Sequence, residues 1–180
     1  MSQKIFINPR IGDKLTFLKT AEETGGEYTL MRIDLAPHGG NPLHYHTTFT
    51  EEFRVIKGEL RVSAGGKKLV LKRGQAIKVP RMMSHRFYSE SDEPAAFLVE
   101  IRPGSVNFER SLKIAYSLAY EGRCFKMGIP KNLLHLAYLL EASESYSPGI
   151  PLFLQKQFFK TLAAIAKRLG IERDLDRYCG

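Results

Sequence analysis

The chain has 180 residues, of which 43% are hydrophobic and 26% are charged. This length and composition fit a folded globular domain and exclude disordered, collagen-like and fibrous proteins. No apolar run reaches the roughly 18–20 residues that a membrane-spanning helix needs. The first residues lack the apolar core and cleavage site of a secretory signal, so we expect a cytoplasmic protein without an integral membrane segment.

The net charge of +8 raises the question of nucleic-acid binding. The excess of basic residues is the same in residues 1–104 and 105–180, and acidic residues are interleaved with basic ones throughout. The sequence contains no RNA-binding, zinc-finger or helix-turn-helix motif. We therefore expect no nucleic-acid partner and interpret the charge as a solvated surface.

The first part of the chain has the pattern of an all-β protein. From about residue 4 to residue 104, short alternating apolar stretches are separated by Gly, Pro and Asn. In residues 27–36, Thr29, Met31, Ile33 and Leu35 fall on one face of a strand. Further strands are predicted at 53–57, 59–62, 67–72, 75–79, 84–89 and 95–101. Roughly eight strands without helical periodicity predict a sandwich or a barrel.

After residue 104 the pattern becomes helical. Apolar residues recur at spacings of three and four, which predicts helices at 112–121, 131–144 and 151–169. In the third helix, Phe158, Leu162, Ile165 and Leu169 share one face, which Phe159, Ala163 and Ala166 extend. Such a face packs on a domain or a partner subunit, or lies on an anionic membrane surface; the width of the stripe favours packing. The predicted organisation is a β-barrel over 1–104 and a helical C-terminal extension over 105–180.

Three of the five histidines fall in two short stretches that carry metal-binding chemistry. His44 and His46 stand two residues apart, so both side chains point to the same face of an extended strand. Glu51 follows in the same stretch, and His85 lies in the second. Three imidazoles and a carboxylate suit one divalent transition metal, namely Fe, Mn, Ni, Cu or Zn, and suit calcium poorly.

These stretches resemble the two sequence motifs of the cupin superfamily. The first motif has the form HxH, then Glu, then Gly, and the second contains Gly, Pro and His at fixed spacings. The positions that fit are His44, His46, Glu51, Gly58, Gly74, Pro80 and His85. The resemblance covers about residues 25–103. It implies a cupin double-stranded β-helix, or jelly-roll barrel, and a homodimer.

Three positions depart from the family pattern. His38 stands where the family has an early glycine, Met82 replaces the glycine of the second motif, and Ser89 replaces its asparagine. The four ligand positions His44, His46, Glu51 and His85 are all retained, so the resemblance implies a bound metal ion.

Strand alternation indicates which side chains surround the metal. If Glu51 and His85 point inward, the residues two and four positions further along each strand do so too. Met82 and Met83 precede His85 in a turn, where we expect them at the pocket mouth. The predicted pocket residues are Phe53, Val55, Met82, Met83, Phe87 and Ser89. The same alternation predicts that Tyr45, Arg54 and Arg86 face outward.

Four protein ligands leave coordination positions open for a chelating oxygen ligand. No inward Lys, Asp or second Glu is predicted, so metal-centred chemistry is the only chemistry that the sequence indicates. This favours a small metalloenzyme, such as a dioxygenase, isomerase or decarboxylase-like protein, acting on an oxygen-rich small molecule. The alternative is a non-catalytic protein that binds or senses a sugar or metabolite.

Overall fold

The structure is a computed structural model that describes residues 4–179. The strands of the first part are β1 (Ile5–Asn8), β2 (Asp13–Lys19), β3 (Thr29–Leu35), β4 (Tyr45–His46), β5 (Thr50–Lys57), β6 (Glu59–Ala64), β7 (Lys67–Lys72), β8 (Ala76–Val79), β9 (His85–Tyr88) and β10 (Ala95–Arg102). The second part contains α1 (Val106–Tyr120), a 3-10 turn (Lys126–Gly128), α2 (Leu133–Ser143), β11 (Ser145–Tyr146), α3 (Leu152–Arg168) and α4 (Ile171–Asp176).

The strands of the predicted all-β part form antiparallel sheets. A six-stranded sheet has the order β1-β2-β3-β10-β5-β8, and a three-stranded sheet has the order β7-β6-β9. Strand β3 buries Thr29, Met31, Ile33 and Leu35 and turns the intervening side chains outward, which confirms the predicted alternation. The mainly β fold with C-terminal helices is therefore confirmed.

The barrel core is rich in aromatic rings. The ring centroid of Phe97 lies 5.0 Å from that of Phe87 and 6.2 Å from that of Phe53. All three side chains are buried, and their edge-to-face packing adds to the free energy gained by removing them from water. This core supports the strands on which the histidines and the glutamate stand.

The first helix is fixed to the barrel by buried polar contacts. Glu109 accepts hydrogen bonds from the backbone N–H of Ala21 and from the hydroxyl of Thr29. About two turns further along α1, the Tyr116 hydroxyl donates to Asp13 at 2.7 Å. Because buried polar groups are costly when unpaired, these contacts specify how α1 lies on β2 and β3.

The extension differs from its predicted pattern in three respects. It contains the short strand β11, which pairs with β4 of the barrel, and the additional helix α4. In α3, Ala163 and Ala166 of the predicted apolar face are buried, whereas Phe158 and Leu169 of the same face are exposed. None of the helices within residues 4–179 is long and apolar enough to cross a membrane.

Candidate metal centre

Two of the histidines are brought together by a backbone bridge between distant parts of the chain. The N–H of His44 donates to the carbonyl of His85 at 3.0 Å, and the N–H of His85 donates back at 2.7 Å. This pairing places the two residues opposite each other, and their ring centroids are 4.5 Å apart. The bridge joins two stretches that lie 41 positions apart in the sequence.

His46 on β4 and Glu51 on β5 complete the cluster. Glu51 Oε2 lies 2.6 Å from His85 Nε2 and 3.6 Å from His46 Nε2. One potential ligand atom from each of His44, His46, Glu51 and His85 lies within 4.8 Å of the others. The structure therefore brings together all four residues that the sequence singles out.

Each histidine of the cluster has a partner at its Nδ1 atom. His44 Nδ1 lies 2.8 Å from the Pro42 carbonyl, and His85 Nδ1 lies 2.9 Å from the Met83 carbonyl. These carbonyls accept hydrogen bonds from Nδ1–H, so Nε2 is the ring nitrogen left for the cluster. In His85 this second nitrogen is hydrogen-bonded to Glu51.

The partner of His46 comes from the extension. Its Nδ1 atom lies 3.3 Å from the Ser145 hydroxyl on β11. Its Nε2 atom is buried and has no hydrogen-bond partner within residues 4–179. A buried ring nitrogen without a partner carries an energetic cost that coordination to a cation would remove. The donor set thus fits a divalent transition-metal ion.

The electrostatics keep two of the histidines neutral. Burial lowers the pKa of His46 to about 3, and the opposing effect of the Glu51 charge is smaller. Burial also lowers the pKa of His44, assisted by the neighbouring His85. Neutral imidazoles are the form that coordinates metal ions, so both side chains are ready to do so at neutral pH.

Glu51 and His85 form a hydrogen-bonded pair in which each residue favours the charged form of the other. Burial opposes ionisation of Glu51, but the hydrogen bond from His85 and the three nearby imidazoles hold its pKa at about 2. Burial acts to lower the pKa of His85, and the contact with Glu51 raises it overall. The carboxylate is therefore ionised and supplies the negative charge that a divalent cation would neutralise.

The cluster opens onto a cavity of about 260 Å³. Its barrel side includes His44, His46 and Glu51, and its other side is formed by α1, α2 and the segment between them. The extension is therefore part of the pocket. The sequence predicts an apolar pocket but does not indicate that helices far along the chain supply half of its wall.

The predicted pocket residues on the strands have different environments. Phe87 lines the cavity. Phe53 and Val55 are buried in the barrel core, and the Phe53 ring centroid lies 6.0 Å from that of His85. Ser89 is buried in a turn, where its hydroxyl accepts a hydrogen bond from the N–H of Ser91.

The two methionines before His85 lie in the turn between β8 and β9. Met82 is 56% exposed, and its backbone N–H donates to the His46 carbonyl at 2.8 Å. Met83 is partly buried against the barrel core. Tyr45 points away from the cluster, as its position in the strand predicts, but it is covered by Tyr146 of the extension rather than exposed to solvent.

Two polar features of this region were not indicated by the sequence. Ser145 reaches His46 only because β11 pairs with β4, a contact between residues 99 positions apart. Asp13 is buried beside Tyr116, and Tyr116 lines the cavity. The sequence carried no signal for the Asp13–Tyr116 contact, because its two residues lie 103 positions apart, one on β2 and the other on α1.

An antiparallel barrel that gathers three histidines and a glutamate beside a cavity defines a class of small metal-binding β-barrel proteins. Residues 31–101 match the family model described as a cupin domain, which assigns a cupin domain to the barrel part of the chain. The matched segment contains all four residues of the cluster, whereas the helical extension lies outside it.

Curated relatives share this domain. Oxalate oxidase GF-2.8 of wheat (Triticum aestivum) is 33% identical over 109 residues, which cover 53% of this chain and 49% of that protein. Polyketide synthase CurC of Streptomyces cyaneus is 28% identical over 97 residues, which cover 53% of this chain and 63% of that protein. The chain spans about half the length of the oxalate oxidases that it matches.

Solved structures show the same fold. KdgF from Halomonas sp. superposes with a TM-score of 0.51 at 14% identity, covering 57% of this chain and 88% of that one. A protein described as a predicted oxalate decarboxylase from Thermotoga maritima also has a TM-score of 0.51, at 19% identity, covering 57% of this chain and 98% of that one. At these identities the likeness concerns the fold alone.

Proposed function

We propose that the chain is a small metalloenzyme that holds one divalent transition-metal ion, either Fe, Mn, Ni, Cu or Zn, at His44, His46, Glu51 and His85. The observation that carries this proposal is the cluster itself. Its ring nitrogens are oriented by Nδ1 partners, its carboxylate is ionised, and it opens onto a cavity large enough for a small molecule.

A metal ion held by these residues would supply Lewis acidity toward a chelating oxygen ligand, or a site for oxygen chemistry. The protein residues hold that position by fixing the imidazoles and by keeping Glu51 charged. The reaction classes that use such chemistry are those of a dioxygenase, an isomerase or a decarboxylase-like enzyme. The names of the relatives, an oxalate oxidase and a polyketide synthase, support a small-molecule substrate that bears oxygen donors.

One observation favours a second function, the binding or sensing of a metabolite without turnover. Within residues 4–179, the ionisable side chains that line the cavity are members of the cluster and Tyr116. The hydroxyl of Tyr116 is already hydrogen-bonded to Asp13. A side chain free to act as a general base is therefore not evident beyond the cluster, and a reaction would depend on the metal ion.

Elemental analysis of untagged protein, purified without chelators, tests the metal site. We expect about one transition-metal ion per chain, lost in His44→Ala and in His85→Ala. His38→Asn is the matched control, because His38 is exposed and contacts Asp92 rather than the cluster. Failure to take up metal on reconstitution, or equal metal content in all four proteins, would refute the site.

The identified metal then selects the activity screen. An iron centre would be tested by oxygen consumption with chelating substrates, and a zinc or manganese centre by isomerase and hydrolase substrates. Turnover that persists in metal-free protein would contradict the metalloenzyme proposal. Ligand binding without turnover on any of these panels would support the sensing alternative.

A further inference from the structure

The wall that the extension contributes to the cavity is apolar. It includes Phe108 of α1, Ile129 and the α2 residues Leu136 and Leu140, and it faces Leu15 of the barrel. Among the residues that the structure describes, no lysine or arginine lines this space. The charged side chain in the lining is Glu51, which is anionic.

Three polar side chains that line the cavity are hydrogen-bonded within the protein. The Ser111 hydroxyl donates to the Phe108 carbonyl at 2.7 Å, and the Tyr116 hydroxyl donates to Asp13. The Asn41 side-chain oxygen accepts from the N–H of Phe87 at 2.9 Å. A ligand away from the cluster would therefore meet surfaces that require few hydrogen bonds from it.

The cavity has room for a small organic molecule. Protein interiors contain few voids larger than a water molecule, and an apolar cavity of about 150 Å³ is already able to bind benzene. A space of about 260 Å³ with a cluster of ligand atoms at one side is the size of a binding site for a small organic molecule.

From these observations we infer the class of ligand, an inference that rests on the proposed function. The ligand has one oxygen-chelating end, which binds the metal ion at the cluster, and an uncharged apolar body, which packs against α1 and α2. A small dianion such as oxalate is disfavoured, because the carboxylate oxygens that do not bind the metal would lose hydration against a wall without cations. The extension is thus the part of the chain that determines specificity.

Two hydroxamates distinguish the contributions of the two ends of such a ligand to binding. Acetohydroxamate and benzohydroxamate share one chelating group and differ in the apolar body. Protein loaded with Co²⁺ is titrated with each compound and with oxalate, following the visible absorption of the bound cobalt. Metal content is measured in the same samples. We expect benzohydroxamate to bind about 10- to 100-fold more tightly than acetohydroxamate, from the area that the phenyl ring buries.

A pair of leucine substitutions locates the effect in the extension. Leu140→Arg places a cation in the cavity wall, so it should reduce the preference for benzohydroxamate about tenfold and strengthen oxalate binding. Leu154→Arg is the matched control, because Leu154 is an exposed residue of α3 and does not line the cavity. Its ligand preferences should equal those of the unsubstituted chain.

Benzene, which cannot chelate a metal, tests the apolar wall independently of the cluster. At about five times its Kd, it should raise the melting temperature of metal-free protein by about 2–4 °C. Absence of bound cobalt alongside a benzene effect would refute the proposed function and leave the apolar wall supported. If cobalt binds but the two hydroxamates have equal affinity, or oxalate binds more tightly than they do, the inferred ligand class is wrong. The proposed metal site would still be supported.

Discussion

Asp13 is a buried carboxyl group at the contact between β2 and α1, and its titration should make the fold less stable as the pH rises. One carboxyl oxygen is hydrogen-bonded to Tyr116, and the other has no hydrogen-bond partner in the part of the chain that the structure describes. Burial raises the pKa of Asp13 from its ordinary 3.8 to about 7, although the Tyr116 hydrogen bond acts in the opposite direction.

The direction of this change in stability depends on whether the folded or the unfolded chain binds the proton more tightly. Between pH 4 and pH 7, roughly the window set by the unfolded and folded pKa values, the folded chain binds this proton more tightly than the unfolded chain does. Stability from this group is therefore fully present at low pH and is lost as the pH rises through about 7. The shift corresponds to about 4 kcal/mol in total, of which roughly 2–3 kcal/mol is lost between pH 5 and pH 8.

Urea denaturation of the unsubstituted chain and of Asp13→Asn, measured at half-unit steps from pH 5 to pH 8, tests this. Asparagine has nearly the same shape and does not titrate. The difference between the two free energies of unfolding should thus change by roughly 2–3 kcal/mol across the range, in favour of the variant at high pH. Other titrating groups, including the histidine cluster, cancel in this difference.

A second variant separates the effect of burial from that of the hydrogen bond. Tyr116→Phe removes the interaction that lowers the pKa of Asp13, so the loss of stability should move to higher pH. Parallel pH profiles for the unsubstituted chain and Asp13→Asn would show that Asp13 does not titrate in this range and would refute the reasoning.

Three further predictions concern the extension and the turn before His85. Ser145→Ala should weaken metal binding about tenfold, because His46 loses the partner of its Nδ1. Competition with a chromophoric chelator measures this affinity, and Ser147→Ala should bind the metal as the unsubstituted chain does. Glu109→Ala should lower the free energy of unfolding in urea by about 2–3 kcal/mol, because two buried donors of the barrel lose their acceptor; a change below about 0.5 kcal/mol would contradict this. Met82→Gly should raise the free energy of unfolding by up to about 1 kcal/mol, because φ at this position is 65°; a clear loss of stability would contradict it.

The barrel and the metal cluster could be predicted because their signals are local. Alternation along β3 assigns its buried face from residues two positions apart. His44 and His46 share a face for the same reason, and the spacing of Glu51 keeps it on the inward side of β5. The distant member, His85, could be identified only through the family motif, because its bridge to His44 is a tertiary contact.

The pocket could not be predicted in the same way, because its second wall depends on how the helices pack. Periodicity in α3 places Phe158 and Leu169 on one apolar face with Ala163 and Ala166, yet the structure buries the two alanines and exposes Phe158 and Leu169. Small side chains allow α3 to approach α2 closely, and close approach decides which face is turned inward. An apolar stripe shows that a helix is amphipathic but does not identify its neighbour.

The departures from the family motif show that the fold requires a backbone conformation at those positions rather than a particular residue. His38 and Met82 stand where the family pattern has glycine, and they adopt φ values of 58° and 65°. Glycine reaches this left-handed region without strain, whereas other residues do so at a cost of about 1–2 kcal/mol. Met82 lies in the turn before β9, which begins with His85, and its N–H donates to the His46 carbonyl. The turn is thus kept in the shape that the ligands need, and the rest of the barrel supplies the stability that this shape costs.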